Sequence, residues 1–186
     1  DSLSGKKIAV QGVGHVGEYL VKHLTEEGAL VSITDIHEET LSRVAQTYGA
    51  KIVAPNDIYD IDMDIYAPCA LGATINDDSI SKMNCAVIAG AANNQLADET
   101  LHGNMLIEKG IVYAPDFLIN AGGLINVGAE LDGYNRERVM NNVEKIYDRT
   151  LEIFDYAETE KMHVQGAAIK LAEKRIADIA AIKSRL

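Results

Sequence analysis

The sequence predicts an α/β fold, a doubly wound parallel sheet with helices on both faces and further helices at its C-terminal end. Three observations carry this. Short β-branched runs alternate with amphipathic stretches through the first two thirds of the chain, the β-α-β rhythm of a parallel sheet. Runs such as Ile8-Ala9-Val10 and Ala86-Val87-Ile88-Ala89 are continuously aliphatic, as strands covered on both faces must be. From Arg136 onward the texture changes to long helical periodicity.

Taken in order, a strand is expected over 7–11 with a helix over 17–28, a second strand over 30–34 with a helix over 38–48, and a third strand over 51–53 with a short link. Further strands are expected over 64–66, 86–89 and 111–113, followed by turn-rich sequence such as Pro68-Cys69-Ala70-Leu71-Gly72 or Pro115-Asp116. For six such strands, the order 3-2-1-4-5-6 is the natural choice. The helix from Arg136 places Val139, Val143, Ile146, Thr150, Ile153 and Phe154 on one face, and a last helix from about Gln165 toward Leu186 carries Ile169, Ala172, Ile176 and Ile179. Residues 1–135 thus form the sheet core and 136–186 the helices that complete the domain. A chain of 186 residues buries a sizeable core but is short for a two-domain enzyme. No linker-like, low-complexity or solenoid-period segment interrupts it.

Charge excludes several function classes. Against 17 Lys and Arg stand 28 Asp and Glu, a formal charge of -11, which repels nucleic-acid backbones and anionic membranes. No apolar run approaches the roughly 20 residues of a membrane helix, and the opening residues lack a signal peptide's apolar stretch. A cytoplasmic protein without nucleic-acid or membrane partners is expected, and a start without Met reads as a processed or excised segment. Cys69 and Cys85 lie outside any ligand spacing, so neither a metal site nor a disulfide framework is indicated.

The strongest local signal is Gly12-Val13-Gly14-His15-Val16-Gly17, between the first strand and the apolar-periodic stretch Val16, Leu20, Val21, Leu24. In a Rossmann-type fold, Gly12 permits the tight turn, Gly14 lets the backbone approach a pyrophosphate, and Gly17 brings helix against sheet. The helix N-terminus offers N–H groups and a positive dipole end, so an acidic protein can still bind a diphosphate. Asp35, eighteen positions after Gly17, is placed to accept the adenosine ribose hydroxyls. No Lys or Arg follows in Ile36-His37-Glu38-Glu39, so a 2′-phosphate would lack a counterion. The expected cofactor is NAD rather than NADP. The plainer alternatives are a simple βα turn for the glycines and a helix cap for Asp35.

Other positions carry less. His15 reads as an exposed loop histidine, and His23, His37, His102 and His163 as surface residues without partners at ligand or triad spacing. Cys69 borders the carboxyl edge of the sheet but lacks an activating base, and reads as packing. The segments Gly90-Ala91-Ala92-Asn93-Asn94-Gln95 and Asn120-Ala121-Gly122-Gly123 follow the fifth and sixth strands. Asn pairs a donor with an acceptor, suiting a nicotinamide carboxamide or a carboxylate, and equally serves as turn former and cap. Asp116 reads as a helix cap. Leu124 and Val127 share a helix face, as a pocket wall or simply as core.

The linked motifs Ala67-Pro68-Cys69-Ala70-Leu71-Gly72, Ala89-Gly90-Ala91-Ala92-Asn93-Asn94-Gln95-Leu96, Tyr113-Ala114-Pro115-Asp116, Ile119-Asn120-Ala121-Gly122-Gly123-Leu124-Ile125-Asn126-Val127 and Gly133-Tyr134-Asn135-Arg136-Glu137-Arg138 resemble the glutamate/leucine/phenylalanine/valine dehydrogenases, over nearly the whole chain. The resemblance is to the branch acting on branched-chain amino acids. It implies NAD-dependent oxidative deamination of leucine-like L-amino acids to 2-oxo acids and ammonia. Carried over, Gly12, Gly14, His15, Val16 and Gly17 would hold the diphosphate, and Asp35 with Ile36 the adenosine ribose. Ala70, Ala91, Asn94 and Asn120 would border the nicotinamide, with Asn94 also positioning substrate. Leu124 and Val127 would wall the aliphatic side-chain pocket, where an unpaired glutamate carboxylate would be costly.

Ala91 stands where the family commonly has Ser, and His15 where Asn is common. The family's chemistry also relies on a Gly-rich lysine loop, a second lysine and an aspartate in an N-terminal substrate domain. No G-G-G-K-A-like segment occurs in these residues. The chain therefore reads as the cofactor-binding half, with no catalytic residue of its own, facing an absent domain across a cleft. A standalone NAD-binding module that senses dinucleotide without turnover is the alternative. The last helix, if it packs toward the absent domain, would leave an apolar face open to homo-oligomer formation.

Overall fold

A computed structural model describes residues 2–131 and 133–183. Six parallel strands, β1 (Lys7–Gln11), β2 (Leu30–Thr34), β3 (Lys51–Ile52), β4 (Ile65–Pro68), β5 (Val87–Ile88) and β6 (Val112–Tyr113), form one sheet. Their order is β3-β2-β1-β4-β5-β6, as the sequence predicts. The first crossovers are α1 (His15–Glu26) and α2 (Glu38–Tyr48), and the later ones α3 (Asp77–Lys82) and α4 (Glu99–Glu108). Two short helices, α5 (Asp116–Ile119) and α6 (Gly122–Gly128), lead to the long α7 (Arg136–Glu160) and α8 (Val164–Lys183).

The pleat sorts the core into two layers, because successive side chains leave a strand on opposite faces. Ile8, Val10 and Ala67 pack with Val21 and Leu24 of α1 and Leu41 and Val44 of α2. On the other face, Ala9, Tyr66, Ile88 and Tyr113 meet Ile80, Met83 and Leu106, brought by α3 and α4. Both faces are covered, so the strands need no polar alternation. A third cluster joins Ile153 and Ala157 of α7 to Ala167 and Ala168 of α8, with Leu118 packed against it.

Several boundaries differ from expectation. Helix α1 begins at His15 rather than 17 and ends at Glu26, because the chain takes up helical hydrogen bonding immediately after Gly14, with the Glu18 N–H donating to the Gly14 carbonyl at 2.9 Å. Strands β5 and β6 keep only two residues each, β5 losing Ala86 and Ala89 at its two ends and β6 losing Ile111 at its start. The last helix starts one residue early, at Val164, and its expected extension to Leu186 lies outside the described residues. All four residues of its expected face, Ile169, Ala172, Ile176 and Ile179, are exposed.

Local chemistry fixes the helix ends. Asn76 and Ser79 form a reciprocal capping box on α3, Asp98 caps α4 through the Thr100 and Leu101 N–H groups, and Asn135 caps α7 through that of Arg138. Lys109 donates to the Ile80 carbonyl, and to those of Ser81 at 3.2 Å and Met83 at 2.8 Å, closing the C-terminal end of α3 where a cation is favoured.

Candidate dinucleotide site

The carboxyl ends of the strands meet a change of chain direction between β1 and β4, since β1 leads outward to β2 and β4 onward to β5. That is where ligands of doubly wound sheets lie. The glycine loop opens there. The Gly12 N–H donates to the Thr34 carbonyl at 2.8 Å, and the Cys69 N–H to that of Gln11 at 2.7 Å. These bonds lock the loop to both neighbouring strands.

The three glycines serve different ends. Gly12 has φ +96°, and an added Cβ would stand 2.6 Å from the Ala70 nitrogen. At Gly17 a Cβ would lie 2.1 Å from the Gly12 carbonyl oxygen, so α1 sits against its own entry turn. A Cβ on Gly14 would meet nothing within 4 Å. The space beyond Gly14 is therefore open, and α1, unlike α3, α4 and α7, has no side chain capping its first turn. Its free N–H groups leave an anion-accepting end.

Asp35 follows β2, and its carboxylate accepts from the Val13 N–H at 2.7 Å and the His37 N–H at 2.9 Å. It is not the helix cap of the plainer alternative, since His37 holds that position in α2. Ile36 beside it is exposed. His15 is exposed on the first turn of α1 with its ring edge-on to Tyr19 at 5.4 Å, and Val16 is exposed too. Beneath the loop, the hydroxyls of Tyr59 and Tyr66 both donate to Gln11 Oε1. Burial holds the Tyr66 phenol well above its ordinary value. Burial likewise pushes the Cys69 thiol up, so it stays protonated, in keeping with a packing role.

On the far side of the switch point, the loop after β5 carries Ala91 and Asn94, and Asn120 follows α5. Asn94 is held in the left-handed region at φ +51°, and the Ala73 N–H donates to its carbonyl at 2.6 Å. The Asn120 side-chain amide donates to Asn93 Oδ1 and, at 3.4 Å, to the Ala92 carbonyl. Ala70 lies against the glycine turn. Leu124 and Val127 on α6 are 78% and 61% exposed, so they are not core. They form an apolar face on a helix with no buried residue.

Two readings need correction. His102 is not a surface residue: it is 3% exposed, its Nδ1 accepts from the Asp98 N–H at 2.8 Å and its Nε2 lies 3.3 Å from Asp77 Oδ2. It ties the starts of α3 and α4 together. Asp116 is not a cap, for Pro115 precedes it in that place. Its carboxylate is buried and reaches the Gln95 N–H at 3.0 Å and the Phe117 N–H at 2.7 Å. Sequence reasoning missed Gln95 altogether. It is fully buried, and its Nε2 donates to the carbonyls of Gly90 at 2.7 Å and Ala92 at 2.9 Å. Its sequence neighbours, Asn93-Asn94 before and Leu96 after, carry no signal of its burial.

Fold and edge geometry together define a doubly wound dehydrogenase-type domain. The chain belongs to the glutamate/leucine/phenylalanine/valine dehydrogenase family, whose model matches residues 29–183. It is 57% identical over 176 residues to the leucine dehydrogenase of Thermoactinomyces intermedius, covering 95% of this chain and 48% of that protein. The crystal structure of L-tryptophan dehydrogenase from Nostoc punctiforme superposes with a TM-score of 0.91 at 46% identity, covering 95% of this chain and 53% of that one. The hetero-hexameric glutamate dehydrogenase from Thermus thermophilus shares the fold, with a TM-score of 0.76 at 22% identity over 98% of this chain and 48% of that one. The chain spans about half the length of the curated relatives it matches. Among the described residues, no helix is long and apolar enough to cross a membrane.

Proposed function

We propose that the chain is the NAD(H)-binding domain of an amino-acid dehydrogenase that oxidatively deaminates branched-chain, leucine-like L-amino acids to 2-oxo acids and ammonia. Residues 1–135 supply the dinucleotide core and 136–186 complete it. The observation that carries this reading is Asp35 bonded to the Val13 N–H at 2.7 Å beside Gly14, whose Cβ direction is open. A carboxylate and a glycine-lined, uncapped helix end lie together at the switch point, and this donor set fits a dinucleotide.

When bound, NAD supplies the hydride acceptor. The residues of the chain bind and orient. The N–H groups of His15, Val16 and Gly17 face the diphosphate, and Asp35 accepts from the ribose hydroxyls with Ile36 alongside. With Glu38 and Glu39 following, a 2′-phosphate is repelled, which favours NAD over NADP. Asn94 and Asn120 offer carboxamides to the nicotinamide side, bordered by Ala70 and Ala91, with Asn94 also reaching substrate. The exposed apolar pair Leu124 and Val127 receives an aliphatic side chain. Sequence identity to leucine dehydrogenases, 52% and above in the relatives from Thermoactinomyces and Bacillus, supports that substrate class.

No Gly-rich lysine loop lies in these residues, so acid/base groups would come from a partnering substrate domain, and this chain alone should bind without turnover. The exposed Ile176, Ile179 and Ile182 of α8 support burial against that domain or self-association. A cytoplasmic location fits this chemistry. The test is calorimetric titration of the chain with NADH beside an assay with leucine and NAD. Binding without turnover is expected. No binding would reject the reading, and turnover would place acid/base residues within this chain.

A further inference from the structure

Asn94 lies in the irregular loop after β5, and Asn120 closes the short helix α5 that follows β6. Two flexible carboxamides fixed in mutual geometry need a brace. The structure provides one, away from solvent. Asp116 is 5% exposed. Its carboxylate accepts from the N–H of the peptide joining Asn94 to Gln95 at 3.0 Å, while its own carbonyl accepts the Asn120 N–H at 3.0 Å. One residue thus holds both segments.

Gln95 completes the brace from within. Its two side-chain N–H bonds, to Gly90 and Ala92, close the Gly90–Gln95 segment into a ring, and the Ala92 carbonyl that it holds also accepts from Asn120. Only this amide orientation satisfies two carbonyls, which fixes the flip. Asn94 sits in the left-handed region at φ +51°, which Asn tolerates better than other residues with a side chain. Such a conformation persists where surrounding bonds over-determine it. The charged acceptor on the very next N–H is the strongest of those bonds.

We propose that Asp116, acting with Gln95, is a positioning residue that sets the Asn94 and Asn120 carboxamides to receive the carboxamide-bearing ring of the dinucleotide. It touches neither cofactor nor substrate. The inference rests on the dinucleotide reading given above, and it assigns the ring half of the ligand to this brace and the ADP-ribose half to the glycine loop.

The experiment compares NADH with ADP-ribose, which lacks the ring. In the unmodified chain, NADH should bind more tightly than ADP-ribose. In Asp116→Asn, which puts an N–H donor opposite one of two N–H donors, NADH affinity should fall about tenfold, the size of one charge-assisted hydrogen bond. ADP-ribose affinity should change less than about twofold. A general loss of structure would move both. Equal losses for the two ligands, or an unchanged NADH affinity, would overturn the proposal. If the unmodified chain binds neither ligand, the dinucleotide reading itself fails; if it binds ADP-ribose as tightly as NADH, only the ring assignment fails. Should Asp116→Asn not fold, amide hydrogen exchange in the unmodified chain decides: NADH should slow exchange at the Gln95 N–H and ADP-ribose should not, and equal protection by both, or by neither, overturns the brace.

Discussion

The two halves of the sheet's carboxyl edge are held in shape by opposite means. On the β1–β2 side, the loop is shaped by backbone: glycines at Gly12 and Gly17 remove atoms so that turn, strand and helix touch. On the β5–β6 side, the loops are shaped by side chains, with Asp116 and Gln95 supplying bonds from inside. The first construction fails when atoms are added, the second when hydrogen-bond partners are changed. On the dinucleotide reading proposed above, each half of the ligand would rest on its own support.

The largest effect expected on that contrast comes from Gly17→Ala. Its new carbon would stand 2.1 Å from the Gly12 carbonyl, and overpacking against backbone should cost about 3 kcal/mol, read as a drop in denaturation midpoint together with lost NADH binding. Gly14→Ala is the control: open space predicts less than about 0.5 kcal/mol in stability but weakened NADH binding. If Gly17→Ala were as stable as the parent, the close approach of α1 to its entry turn would be wrong.

Next in size is Asp35→Ala, which leaves the Val13 and His37 N–H groups without their carboxylate. NADH binding should weaken by about 2 kcal/mol, measured by calorimetry. An unchanged dissociation constant would remove Asp35 from the ribose site and leave it as a loop strut only.

A smaller effect concerns two buried phenols of one core layer. Tyr66, under the glycine side, has its phenol raised above the ordinary 10.0 by burial, and Tyr113, under the asparagine side, is raised by burial and then by the Asp116 charge. A folded phenol that keeps its proton while the unfolded one loses it gives stability fully present below the unfolded value and lost as pH rises through the folded one. Thermal midpoints should therefore hold below about pH 10 and fall above it. Tyr66→Phe should cost about 1 kcal/mol at neutral pH through the lost Gln11 bond and make the alkaline decline shallower. A decline of equal steepness in Tyr66→Phe would locate the alkaline instability elsewhere.

The smallest effect concerns Leu124, 78% exposed. Leu124→Ala should change stability by less than about 0.5 kcal/mol, as a residue kept for contact rather than core would. A loss of 2 kcal/mol or more in denaturant melts, the range for a buried leucine, would mean that it packs inside after all.

Strand order, the glycine turn and the place of Asp35 just after β2 were legible in the sequence because each is written locally: aliphatic runs mark covered strands, and glycine spacing marks a turn. The Asp116–Gln95 bond was not, since its partners lie 21 positions apart and neither residue type announces burial. His102 was misread for the same reason. Its neighbours Asp77 and Asp98 come together only when α3 meets α4. Periodicity also suggested core as a reading of Leu124 and Val127, because a helix face shows apolarity but not what covers it.

The two-residue edge strands β3 and β6 have a bearing on solubility. An intermolecular ladder needs a run of unpaired backbone groups to template it, and each edge offers barely one repeat. Chains concentrated in solution should thus have little route to cross-β fibrils through this sheet, and any clumping should proceed by helix-face contact and dissolve on dilution.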